Sequence, residues 1–170
     1  MKLMTTTAAV LLLSACASMQ GNTPSAEATL TPTKGNNVSG SVSFSQKDDT
    51  VMLTAKVSGL TPGAHGFHVH DKGDCSAPDG TSAGGHFNPT AKPHGHPERG
   101  EHHLGDIPVL EADASGNATL TTELNGVTLA DGANSIVGRG VIIHAAPDDY
   151  TTQPAGNSGP RQACGAIVKR

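Results

Sequence analysis

The sequence predicts an all-β protein: an antiparallel β-sandwich or barrel that carries its chemistry on long loops. Three observations predict it. Short runs alternate apolar and polar residues with period two, no stretch shows helical periodicity, and clusters of turn-forming residues separate the runs. The chain has 170 residues, which corresponds to one domain. It contains 21 Gly and 11 Pro but only 2% aromatic residues, so the core is small and gains from a staple of metal or disulfide. The formal net charge of −4 argues against nucleic acid or an anionic membrane surface as the main partner.

The elements follow in order. Lys2 precedes an apolar run at 8–13 that is too short to span a bilayer and suits the core of a signal peptide. It ends in Leu13-Ser-Ala-Cys16, which resembles the lipobox of bacterial lipoproteins, where the cysteine becomes the lipid-modified first residue. Ordinary cleavage after Ala15-Cys-Ala17 is the competing reading and gives a soluble product. The favoured division is a signal peptide at 1–15, a lipid-anchored flexible tether at 16–36 and a domain at 37–170. The implied location is the cell envelope or periplasm, with membrane contact through a palmitate-type anchor at Cys16. Ala17 stands where an Asp often retains lipoproteins at the inner membrane, which favours the outer one.

Val38, Val42 and Phe44 alternate with small polar neighbours, as do Val51, Leu53, Ala55 and Val57; the turn at 45–49 makes the two runs a hairpin. A second pair, 109–112 and 118–124, flanks a turn at 113–117. Further strands are expected at 138–144 and 165–169. Two Gly-, Pro-, Asp- and His-rich regions, about 71–106 and 145–163, resist strand assignment, and long ordered loops in a small domain are usually functional.

The first of these loops and its flanks hold the chemistry. Residues two apart on a strand share a face, so His68 and His70 in Gly66-Phe-His-Val-His70 project together while Phe67 and Val69 turn to the core. His144 ends another strand, with Val141 and Ile143 packing inward. His86 lies in Gly84-Gly-His-Phe-Asn-Pro89, and His94, His103 and Asp106 are spread beyond it. Six imidazoles and a carboxylate amount to a metal site, of a donor set that suits copper and zinc. A pair of surface histidines is the bland alternative for each motif, and it weakens as the motifs accumulate. His65 reads as a packed, hydrogen-bonded histidine, and His96 and His102 as solvent-exposed. With Cys16 lipidated, Cys75 and Cys164 remain, and an exported chain with two such cysteines most simply forms one disulfide.

Over nearly all of residues 38–170, these segments in this order resemble the copper–zinc superoxide dismutases. Gly66-Phe-His-Val-His70 and Gly138-Arg-Gly-Val-Ile-Ile-His144 resemble the family's copper motifs. Gly156-Asn-Ser-Gly-Pro-Arg-Gln-Ala-Cys-Gly165 resembles its closing segment, with the active-site arginine and a disulfide cysteine. The resemblance implies a Greek-key, immunoglobulin-like sandwich. It implies one copper per subunit on His68, His70, His86 and His144, and one zinc on His86, His94, His103 and Asp106. Asp148 would link the copper-bound His68 to the zinc-bound His94, and Cys75 would pair with Cys164. The substrate would be superoxide, with His86 as the bridging and proton-carrying residue and Arg161 as the residue that attracts the anion. A homodimer is compatible with the resemblance. Residues 151–160 carry no charge, unlike the longer charged guiding loop of many eukaryotic relatives, so steering would fall mainly to Arg161, helped by Lys72 or Lys92.

Overall fold

The structure is a computed structural model that describes residues 23–170. The expected signal peptide, Cys16 and the first part of the expected tether lie outside the described residues. Nine strands form the fold: β1 (Ser25–Pro32), β2 (Ser39–Lys47), β3 (Thr50–Ser58), β4 (Gly63–His65), β5 (Phe67–His70), β6 (Leu110–Ala112), β7 (Ala118–Asn125), β8 (Gly140–His144) and β9 (Arg161–Lys169). The described residues contain a single helical turn, the 3₁₀ segment Thr81–Ala83.

The strand order is β4-β6-β7-β3-β2-β1-β9-β8-β5, and every pairing is antiparallel. The two outer strands, β4 and β5, are separated only by Gly66, so the sheet curls into a nearly closed barrel. The chain leaves β3, passes over β7 and β6 and lays down β4 at the far edge, a long connection of the Greek-key kind.

Alternation explains the barrel. On β3, Val51, Leu53, Ala55 and Val57 are buried while Met52, Thr54 and Lys56 face outward. Phe44, Phe67, Phe87, Ile107, Leu110 and Ile143 fill the interior with them. A smaller cluster of Ala83, Ile142, Cys164 and Cys75 sits on the other side of β8, beneath the disulfide between Cys75 and Cys164.

Two expectations need correction. The flexible tether does not run through residue 36. Ser25–Pro32 is a strand, paired to β2 and β9, with Ala26, Ala28 and Leu30 buried. Its inward side chains are mostly alanines among Thr, Ser and Glu, so it reads as linker although its backbone joins β2 to β9. The last strand begins at Arg161, four residues earlier than expected, because Ala163 and Cys164 are buried between β1 and β8. One boundary moved for a local reason: β6 starts at Leu110 because the Val109 N–H donates to the Tyr150 hydroxyl at 2.8 Å rather than to a neighbouring strand.

Candidate metal centre

β5 and β8 pair in register, with His68 opposite Ile142 and His70 opposite Gly140. Phe67 and Val69 are fully buried in the barrel, so His68 and His70 leave by the opposite face. The backbone stitches the first loop onto β5. Val69 N–H donates to Gly105 O, Phe87 N–H to Val69 O and Gly105 N–H to Phe87 O, at 2.8–2.9 Å. Gly105 is obligatory here, because a Cβ would collide with the Val69 carbonyl. These bonds bring His86, which precedes Phe87, and Asp106, which follows Gly105, beside the His68–His70 pair. At the end of β8, His144 takes the face opposite the inward Ile143, and its ring lies 5.1 Å from that of His68.

Two clusters of donor atoms result, within 4.8 Å of one another in each. His68, His70, His86 and His144 form one; His86, His94, His103 and Asp106 form the other; all are buried. The His68 and His86 rings stack at 3.9 Å between centroids. Five of the six rings have one nitrogen hydrogen-bonded and the other without a partner. His70 Nδ1 donates to Gly84 O at 2.9 Å and His144 Nδ1 to Gly159 O at 3.0 Å. His68 Nε2 and His94 Nε2 donate to opposite oxygens of Asp148, at 2.6 and 2.9 Å. Six buried nitrogens then lack a hydrogen-bond partner: His68 Nδ1, His70 Nε2, His86 Nε2, His94 Nδ1, His103 Nδ1 and His144 Nε2. Orphaned buried polar atoms are costly, and six that converge call for cations. The residues present therefore fit the two metals. Asp106 Oδ1 lies 2.8, 3.0 and 3.5 Å from the Nδ1 atoms of His86, His94 and His103, as a carboxylate sharing a cation with three imidazoles does.

Charge supports the division. Burial pushes the His144 imidazole down to about 3 and His68 to about 4, and holds His70 well below its usual range, so the lone pairs of these three rings are free near neutrality. Burial also works against charge on His94, but the flanking carboxylates of Asp106 and Asp148 outweigh it and raise the ring to about 9. A cation at His94 Nδ1 would replace that proton. Burial disfavours the charged forms of Asp106 and Asp148 as well, yet imidazole N–H groups hold both carboxyls well below the usual carboxylate range.

A stability profile for the metal-free protein follows. His68, His70 and His144 have depressed folded values, so the unfolded chain takes up more protons once the pH drops below about 6.5, and stability falls toward pH 4. His94 acts in the opposite sense. Its contribution is fully present below about 6.5 and is lost as the pH rises through about 9. The metal-free thermal midpoint is thus expected to peak near pH 6–7 and fall on both sides. A midpoint that stays level from pH 4.5 to 9 would contradict these charge states.

The remaining sequence expectations are placed as follows. Arg161 is half-buried and donates to Gly80 O at 2.7 Å and Gly84 O at 2.6 Å; Gly84 O is also the acceptor of His70 Nδ1–H. Arg161 and Lys34 line an open cavity of about 360 Å³ with Thr33, Asp79 and Thr81. Lys92 pairs with Glu101, which offsets its charge, while Lys72 is exposed. Lys34 was hidden because it fell in the expected tether. His65 is buried, its ring bridging the His144 and Thr61 carbonyls at 2.8 Å. His96 and His102 are half-buried rather than exposed, and His96 packs on the Tyr150 ring at 4.4 Å.

A nine-stranded antiparallel barrel with two adjoining donor clusters, one histidine common to both, defines a dinuclear metalloprotein. Residues 38–167 match the family model for copper/zinc superoxide dismutase (SODC), and the chain belongs to that family. It is an oxidoreductase that uses copper and zinc and dismutates superoxide. It is also similar to a solved structure described as a crystal structure analysis of the clock protein EA4. The two are 36% identical with a TM-score of 0.77, over 87% of this chain and 96% of that one.

Proposed function

We propose that copper is held by His68 Nδ1, His70 Nε2, His86 Nε2 and His144 Nε2, and zinc by His86, His94 and His103 through Nδ1 and by the Asp106 carboxylate. The enzyme acts on superoxide in the cell envelope, from a lipid anchor at Cys16 after removal of a signal peptide. The six orphaned, converging imidazole nitrogens carry the ligand assignment. Copper, when bound, supplies the one-electron couple for both halves of the reaction. Overall, two superoxide anions and two protons give dioxygen and hydrogen peroxide.

The chain's own residues do the rest. The Arg161 guanidinium, held to two loop carbonyls, presents positive charge to the arriving anion beside His70 and His144. His86 Nε2 would pass one proton to the reduced anion, with the second coming from water, and His86 Nδ1 lies 2.8 Å from Asp106 Oδ1. Asp148 fixes the ring orientation of His68 and His94 by accepting an N–H from each.

Metal analysis combined with a superoxide-consumption assay on the disulfide-intact protein tests this reading. One copper and one zinc per chain with rapid consumption are expected; zinc alone, or copper without consumption, would defeat it. Arg161→Ala should lower kcat/KM by about ten-fold and flatten its dependence on ionic strength. A variant as salt-sensitive as the wild type would remove Arg161 from steering. Intact-mass analysis decides between a lipidated Cys16 and a soluble product, and the mass in solution decides whether the protein is a homodimer.

A further inference from the structure

The second loop touches the zinc cluster through a side chain that the family's ligand set does not include. His94 N–H donates to Gln153 Oε1 at 2.9 Å, and Gln153 Nε2 donates to His94 O at 2.8 Å. The carboxamide thus occupies both main-chain groups of His94, as a paired strand would. His94 needs such help. It lies in a loop segment without strand pairing, between Pro93 and Gly95, yet its ring is wholly buried against two carboxylates. Nε2 donates to Asp148, and Nδ1 lies 3.0 Å from Asp106 Oδ1.

Gln153 itself is held from behind. Gly156 N–H donates to Thr152 O at 2.7 Å, and Asp149 N–H donates to Gly156 O at 2.9 Å. The Asp149 carboxylate accepts from the backbone N–H groups of Thr151 and Thr152. Gly156 has φ +65°, and a Cβ there would collide with Asp148 and crowd His94 Nε2. The short uncharged stretch 151–160 is therefore a fitted brace against His94 and Asp148.

We infer that Gln153 is a positioning residue for zinc: it fixes the His94 backbone so that Nδ1 stays aimed at the cation shared with His86, His103 and Asp106. Through Asp148 the same restraint reaches His68 in the neighbouring cluster. Outer partners of this kind typically command 10–100-fold in metal affinity. The inference rests on the zinc assignment proposed above.

The test loads the full chain with zinc and follows its transfer to a chromogenic chelator, alongside the visible spectrum of cobalt placed in the same site. Gln153→Ala should keep one zinc per chain but release it about ten-fold faster, with a shifted cobalt spectrum. Thr152→Ala removes only the hydroxyl bond to Asp149 and should release zinc at the wild-type rate. Gln153→Glu keeps the acceptor for His94 N–H and should fall between Gln153→Ala and the wild type, which preserves the test if the alanine variant folds poorly. Wild-type release from both Gln153 variants overturns the inference, as does equally fast release from Thr152→Ala. A wild-type chain that retains no zinc overturns the zinc assignment instead.

Discussion

Replacing His144 with alanine should abolish dismutation, a loss of more than about a hundred-fold, because it removes a proposed copper donor rather than one of the outer partners that command 10–100-fold. His144 is the only member of the proposed copper cluster contributed by β8, and its Nε2 is one of the six orphaned nitrogens. It belongs to the first cluster alone, so the variant should keep its zinc while losing copper. Copper and zinc content, measured beside the rate, check this. If His144→Ala kept activity within ten-fold of the wild type, His144 would not be a copper ligand. Loss of both metals at once would instead show that the two clusters do not fill independently. His144→Ala also leaves His65 in place, since His65 bonds the His144 main-chain carbonyl.

The second large effect is on stability. Cys75 and Cys164 lie 89 residues apart, and opening a loop of that size by Cys164→Ser costs about 4–5 kcal/mol in the chain-entropy model. For a domain of this size the thermal midpoint of the metal-free protein should fall by roughly 10–20 °C. The disulfide also ties the loop that carries Gly80 and Gly84 to β9, and those carbonyls hold Arg161. Metal-loaded Cys164→Ser should therefore lose part of the salt dependence expected from Arg161. Thermal unfolding of the oxidised wild type, the reduced wild type and the variant measures the first effect. A drop of only a few degrees would mean that the long loop is already restrained in the unfolded chain.

Legibility in the sequence followed the range of the signal. β3 and the hairpin to β2 were plain because alternation is local, and Val, Leu and Phe mark the inward face. β1 was not, because its inward positions include two alanines, and what makes it a strand is its partners β2 and β9. The three residues of β4 are too few to show a period. The metal candidates were legible because each lies in a short motif whose glycines and spacing have a chemical reason. Gln153 was illegible for the opposite reason: its partner is the main chain of His94, 59 residues away, and a backbone partner leaves no residue-type signature. Lys34 beside Arg161 was hidden with β1, since only the pairing of that strand brings it to the cavity.

The sequence by itself pointed to the all-β class, the candidate donor residues and the cysteine pair, because side-chain chemistry and strand periodicity are written over two to five residues at a time. Only the tertiary structure decided which imidazole nitrogens are hydrogen-bonded and which lack a partner, and which loop braces which. Those depend on hydrogen bonds closed between distant segments: Gly105 against Val69, Asp148 between His68 and His94, and Gln153 on His94. Such bonds form only once the barrel has brought its two loops to one end.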